Sequence, residues 1–290
     1  MNIPIGNRNN GTVPGQFEST HYANPELESN WEAQEASHYA YPEATNELEN
    51  EGEYFFKNAW RGIQQVAIVA TPLAKQLAPV VARTLIGSVP GAGAVGGPLA
   101  GSLIRQLLQE GEMEAVSMEA QFFGTNEAEL EVGNTEAAQE AALTEVLAAE
   151  ASHSEQESEA GALLGAAVPT TVKSMGGNQA LRRVMPVLVQ ANARLVQLLH
   201  RRGPAGRHLL RLVPTVLRRT IASLRAAQQA GRPITSALAV RLMAAHAARV
   251  LGNSAMVTRT MLRNAIIRKY TVAPSGAISA QPEPRPAHRN

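Results

Sequence analysis

The chain has 290 residues and a formal net charge of +1, with 26 Lys and Arg set against 25 acidic residues, all of them Glu, and no Cys. The small net charge hides a split: residues 1–160 carry 24 Glu and six basic residues, whereas residues 161–282 carry 18 basic residues and no acid. Without Cys there are no disulfides, thiolate metal sites or cysteine nucleophiles, and such a charge asymmetry points to association driven by opposite charge.

The first stretch, MNIPIGNRNNGTVPGQ, has no apolar run behind a positive start, which argues against a secretory signal peptide. The expected location is therefore cytoplasmic, or outside the cell by a non-classical or specialised secretion route. Residues 1–53 are rich in Asn, Glu, Pro, Ser and Gly, and apolar periodicity is lacking. They are expected to form a disordered acidic arm.

Residues 54–109 are sparse in charge and dominated by Ala, Val, Ile and Leu. They predict an apolar helical hairpin interrupted by Gly and Pro. Pro72 and Pro79 should interrupt or kink its first helix, because each removes a backbone donor and crowds the preceding turn. GSVPGAGAVGGP at 87–98 reads as the turn, and a second helix is expected from Pro98 to Gln109. Ile68, Val69, Val80, Leu85, Val95, Leu99 and Leu103 are the apolar positions of this hairpin. They suit either burial in the protein or contact with a membrane.

Residues 110–160 predict an acidic linker followed by a helix over 135–151, with Leu143, Val146 and Leu147 on its apolar face. Residues 161–270 predict a basic domain containing four helices, separated by Gly-Pro and Gly punctuation at Gly203, Gly231 and Gly252. RRVMPVLV and LRLVPTVL align Pro186 with Pro214, which hints at a duplicated unit. The tail, 271–290, is Pro-rich and expected to be disordered. The fold class is thus mainly α: a disordered acidic arm, an apolar helical hairpin and a basic four-helix C-terminal bundle.

Three motifs imitate chemical sites. Gly91, Gly93 and Gly96 match the dinucleotide-binding spacing, but the strand that should precede them is replaced by a helical pattern containing Pro90. Glu47, Glu49, Glu51 and Gly52 resemble the start of a calcium loop, but its twelfth position is Asn58 rather than a bidentate Glu. His200, His208 and His246 lack the helical partner or nearby acid of a metalloprotease. No cofactor or metal is expected, and the chain reads as a non-enzyme.

The most informative pattern is basic. Arg211, Arg218, Arg225 and Arg232 recur every seven residues beside Leu210, Leu217 and Leu224. On a helix this sets an arginine stripe next to an apolar one, so that one face packs and the flank presents guanidinium forks. With Arg182 and Arg183 these arginines are the candidate anion- or partner-binding residues. Their candidate partners are the chain's own acidic segment, an acidic protein or an anionic lipid surface, and a homo-oligomer is a further option. Nucleic acid is disfavoured, because no Phe, Trp or Tyr lies between 124 and 269 to stack on bases.

ALRRVMPVLV and VPTVLRRTIASLRAAQQAGRPITSALAVRLMAAHAARVL, with GRPIT and AARVL inside the latter, carry a resemblance. Over roughly residues 110–270 the chain resembles a group of uncharacterised bacterial proteins with a Glu-rich N-terminal region, an apolar Gly-rich segment and an Arg-rich helical C-terminal domain. The resemblance implies that architecture and no site residue. Three functions stay in view, the first two being a non-enzymatic interaction or assembly protein whose acidic half neutralises the basic one, and a membrane-active bacterial effector. Nucleic-acid binding is the third.

Overall fold

A computed structural model describes residues 51–88, 98–125, 130–177 and 179–272. The arm up to residue 50, the turn at 89–97 with Val95 and the glycine motif, and the tail from 273 lie outside the described residues. Among the described residues the chain is mainly α and contains no strand.

The apolar segment supplies α1 (Glu51–Gly87) and α2 (Pro98–Phe123). α1 runs unbroken through Pro72 and Pro79, which were expected to interrupt or kink it. Both prolines stand on its exposed face. There the carbonyls that lose a helical donor four residues earlier, at Ile68 and Lys75, face water instead of a core. α2 continues 14 residues beyond the expected end at Gln109. Its extra turns carry Glu112, Glu114 and Glu119, whose partners lie on other helices and could not be read locally.

α3 (Glu136–His153) starts at Thr135, whose Oγ1 accepts a hydrogen bond from the Ala138 amide at 3.1 Å. Its buried face is the expected one only in part, since Leu147 packs half-buried against the core. Leu143 is exposed, and Ala138, Ala141, Ala142, Ala148 and Ala149 are buried with Thr144 and Glu145. Small side chains let this helix lie close to its neighbours, so the alanine face is the core face. α4 (Glu157–Ser174) was not foreseen. It spans the point where the sequence changes sign, and Asn192 fixes it by donating from Nδ2 to the Leu164 carbonyl at 2.8 Å.

The four helices expected in the basic half follow as α5 (Gln179–His200), α7 (Val213–Gln229), α8 (Ser236–Gly252) and α9 (Ser254–Val272). A short α6 (Gly203–His208) and a 3-10 turn over Leu209–Leu212 bridge α5 and α7. Gly203 and Gly231 adopt φ of 72° and 69° at these junctions, a conformation that side chains with a Cβ resist. The Pro186–Pro214 alignment has no structural counterpart, since Pro186 is inside α5 whereas Pro214 opens α7.

Successive packing orders the helices. α1 lies mainly on α8, α8 on α7, and α7 on α2, so the two arms of the apolar pair meet different members of the basic bundle. α3 and α4 pack together, α4 continues onto α5, and α9 contacts both α1 and α3. α7 is the centre of this arrangement: every residue from Val213 to Leu224 is buried, including Arg218 and Arg219. Thr215, Thr220, Ala222, Ser223, Ala226 and Ala227 give it a slim surface that neighbours approach from several sides.

Candidate functional site

The burial of α7 decides where its arginines can be. Seven-residue spacing drifts by only about 20° per repeat on a straight helix, so Arg211, Arg218 and Arg225 stay on one side. On an outer helix that side would meet solvent. On a central one it must find carboxylates, because an unpaired buried charge costs several kcal/mol.

Arg218 is fully buried. Its Nε donates to Glu119 Oε1 at 2.9 Å, and its Nη2 donates to Glu145 Oε1 at 2.5 Å. Glu119 comes from α2 and Glu145 from α3, so one guanidinium ties three helices. α9 closes the cluster. Arg263 Nη1 donates to Glu119 Oε2 at 2.6 Å and Nη2 to Thr215 Oγ1 at 2.6 Å. Asn264 Nδ2 donates to Glu145 Oε2 at 2.8 Å and to the Glu145 carbonyl at 2.7 Å. The Phe123 ring centroid lies 5.6 Å from the Arg218 guanidinium and 5.7 Å from that of Arg263, within the range of cation–π attraction.

Burial by itself would raise the Glu119 carboxyl, but Arg263, Arg218 and Arg219 together outweigh it and hold the group well below the usual carboxylate range. For Arg218, burial favours loss of the proton, and the facing Glu145 and Glu119 reverse that and strengthen its hold. Both ions therefore stay charged in the core. Because Glu119 is depressed, its contribution to stability is present above the unfolded carboxyl value of about 4.3 and is lost as pH falls through the folded one.

A second cluster lies along α7. Glu112 of α2 bridges Arg219 and Arg249, the latter through Oε2 at 2.7 Å from Nη1. Further along α7, Arg225 pairs with Glu114 at 3.2 Å and donates to the Met175 carbonyl. Between these ions Ser223 Oγ and His246 Nε2 share a hydrogen bond of 2.8 Å. The pair is fully buried, and Nδ1 of His246 has no partner among the described residues. Without an orienting carboxylate or solvent access, the pair acts as a contact between α7 and α8.

Desolvation, helped by Arg219 and Arg249, lowers His246 to about 3. Between that value and the unfolded value of about 6.5, the unfolded chain binds a proton that the folded chain refuses, so stability falls as pH falls through this window. From pH 7 to pH 5 this histidine should remove about 2 kcal/mol. His246→Gln should flatten that part of the pH profile of urea unfolding. An unchanged slope would mean that His246 titrates normally.

The remaining candidates divide. Arg211 is half-buried and donates from Nε to Ser152 Oγ at 2.9 Å. Desolvation and then Arg268 push its guanidinium down. Arg232 lies in the link after α7, half-buried, while Arg182 and Arg183 are exposed on α5. Of the seven-residue stripe, then, Arg218 and Arg225 reach ion clusters instead of forming an outward flank. In the apolar pair Leu85 is buried and Leu103 half-buried, whereas Ile68, Val69 and Val80 are exposed; Leu99 lies on the first turn of α2.

Sequence reasoning did not single out Glu112, Glu119, Glu145, Arg263 or Asn264. One signal was available. Glu112 and Glu119 repeat the seven-residue spacing of Arg211, Arg218 and Arg225 and so share one side of α2, although their partners are the adjacent Arg219 and Arg218. Glu145 and Asn264 had no such mark, because their positions follow from how α3 and α9 cross α7. Among the described residues no group of three His, Asp or Glu is placed to hold a metal ion. Compared with known proteins, the chain matches no family model, no curated protein and no solved structure.

Proposed function

We propose that this chain is a non-enzymatic helical interaction protein, in which carboxylates of the acidic half neutralise the arginines of the basic half and leave the outer helix faces to meet a partner. The observation that carries this reading is Arg218, wholly buried between Glu119 and Glu145 from the other half of the sequence. A basic bundle bearing 18 cations and no acid over residues 161–282 is self-repelling when alone. Glu112, Glu114, Glu119 and Glu145 relieve that repulsion at its centre. Glu136 and Glu140 with Lys173, and Glu157 with Arg201, relieve it nearer the surface.

The test separates the chain at Gln156, between α3 and α4, into fragments 1–156 and 157–290. The second fragment alone should be poorly soluble and bind heparin tightly. Mixing should return a soluble complex that elutes from heparin at lower salt, as the intact chain does. Fragments that migrate independently at low salt would refute internal neutralisation. An intact chain that holds heparin or DNA as firmly as 157–290 would favour nucleic-acid binding instead.

A further inference from the structure

The outward face of α1 is where apolar and cationic character coincide. Ile68 is 72% exposed, Val69 64% and Val80 39%, all on one side of the helix and about 18 Å from end to end at 1.5 Å per residue. Pro72, Lys75 and Arg83 are exposed on that same side. The opposite side buries Ala67, Ala70, Ala74, Leu77, Val81 and Leu85. Isolated exposed apolar residues are ordinary, but three in one stripe beside two cations form a patch.

No carboxylate occurs between Glu53 and Glu110. The helices packed against α1 are α5, α6, α8 and α9, and all of them belong to the half without acid. Among the described residues no carboxylate pairs with Lys75 or Arg83. Among the described residues, the face from Ile68 to Arg83 is therefore both apolar and without a carboxylate partner. The other exposed apolar pair, Met113 and Val116 on α2, differs because it stands beside Glu110, Glu112 and Glu114.

We propose that the outward face of α1 docks in the plane of an anionic lipid bilayer, with Ile68, Val69 and Val80 entering the headgroup–acyl boundary and Lys75 and Arg83 meeting lipid phosphates and carboxylates. Interfacial helices bind by this combination of buried apolar area and attraction to anionic headgroups. A second copy of the chain fits worse, because a two-fold contact through the stripe would bring its cations together. A nucleic acid would engage Lys75 and Arg83 but leave the apolar side chains in water. Residues 65–87 are long and apolar enough to cross a bilayer. They lie along it instead, since one side of the helix is already committed to α8 and α9.

The proposal names a partner for the interaction reading above and rests on it. The two are tested separately: failure of the fragments to associate would leave vesicle binding unaffected, and failure on vesicles would leave the ion clusters intact. The full chain is mixed with vesicles of phosphatidylcholine, with or without phosphatidylserine, and floated at low and high salt. Binding is expected only to the anionic vesicles. Ile68→Glu with Val69→Glu should weaken it at least about tenfold. Lys75→Gln with Arg83→Gln should weaken it about 25-fold, about fivefold for each cation near the surface.

All four substitutions are at exposed positions, so helicity and thermal midpoint should be unchanged. Should the glutamate pair disturb folding, the glutamine pair decides. Arg105→Gln with Arg194→Gln, exposed on α2 and α5, should leave binding as it was. Absence of flotation by the full chain would overturn the proposal, as would equal binding by all three double variants. So would a loss of self-association in the α1 variants while vesicle binding persists, which would make the face a contact between copies.

Discussion

Arg218→Met should destabilise the fold by about 3–5 kcal/mol, because it strips the buried Glu145 and Glu119 of their closest shared counter-charge. At about 2–4 °C per kcal/mol for a domain of this size, the thermal midpoint should fall by about 6–20 °C. The size follows from an asymmetry. A buried ion pair gains little over a well-packed apolar pair, since both ions must be stripped of water, but a buried ion left single keeps the whole penalty. Glu119 retains Arg263 at 2.6 Å, whereas the Glu145 carboxylate retains only the longer Arg263 contact at 3.8 Å and one Asn264 hydrogen bond, so Glu145 suffers most.

Joining Glu145→Leu to Arg218→Met should therefore recover part of the loss. The double variant should be more stable than the sum of the single effects, as expected for side chains in one network. Urea unfolding at pH 7 measures all three. A single variant within about 0.5 kcal/mol of the parent chain would behave like an ordinary surface substitution, and Arg218 would then not be the buried centre of the bundle.

The second large effect is expected at Gly111, where α2 crosses α7. A Cβ there would stand 2.0 Å from Ser223 Oγ, 2.5 Å from its amide nitrogen and 2.6 Å from its Cα. The last two are backbone atoms, so no side-chain rotation relieves the contact and the helices must separate. Gly111→Ala should cost about 1–3 kcal/mol or more by overpacking. It should do so although alanine is favoured over glycine within a helix by about 1 kcal/mol.

Gly101 is on the same helix, and a Cβ there would meet nothing within 4 Å. Gly101→Ala should thus be neutral or stabilising by up to about 1 kcal/mol, which isolates the crossing from the propensity of the helix. Removing the Ser223 side chain should not rescue Gly111→Ala, since the amide nitrogen and Cα remain. If both alanine variants gained stability alike, α2 would not lie this close to α7. Separation at this crossing would also pull on the clusters, because Glu112 and Glu119 ride on α2 beside it.

Much of this molecule is local and could be read from the chain. The boundaries between α5, α7, α8 and α9 follow from Gly203, Gly231 and Gly252, whereas the start of α8 at Ser236, after the Thr235 cap, lies three residues past the expected Pro233. These signals act within one helical turn, so they need no knowledge of neighbours. The division of charge between the halves is likewise plain in the order of residues, as is the low charge of the apolar pair.

What packing decided is which helix is central. The arginine period of α7 is the same whether the helix is at the rim or in the core, and only the helices packed around it turn an expected outward stripe into a buried one. The same holds for α3, whose leucine was expected to face inward. Close approach by neighbouring helices favours the alanine side and turns Leu143 outward. It holds for α1, where the prolines are tolerated because the bundle covers the other face. Periodicity along a helix specifies which residues share a side. It carries no information on whether that side meets water, lipid or a carboxylate from a hundred residues away, and only the crossing of α2, α3 and α9 over α7 settles that for Arg218.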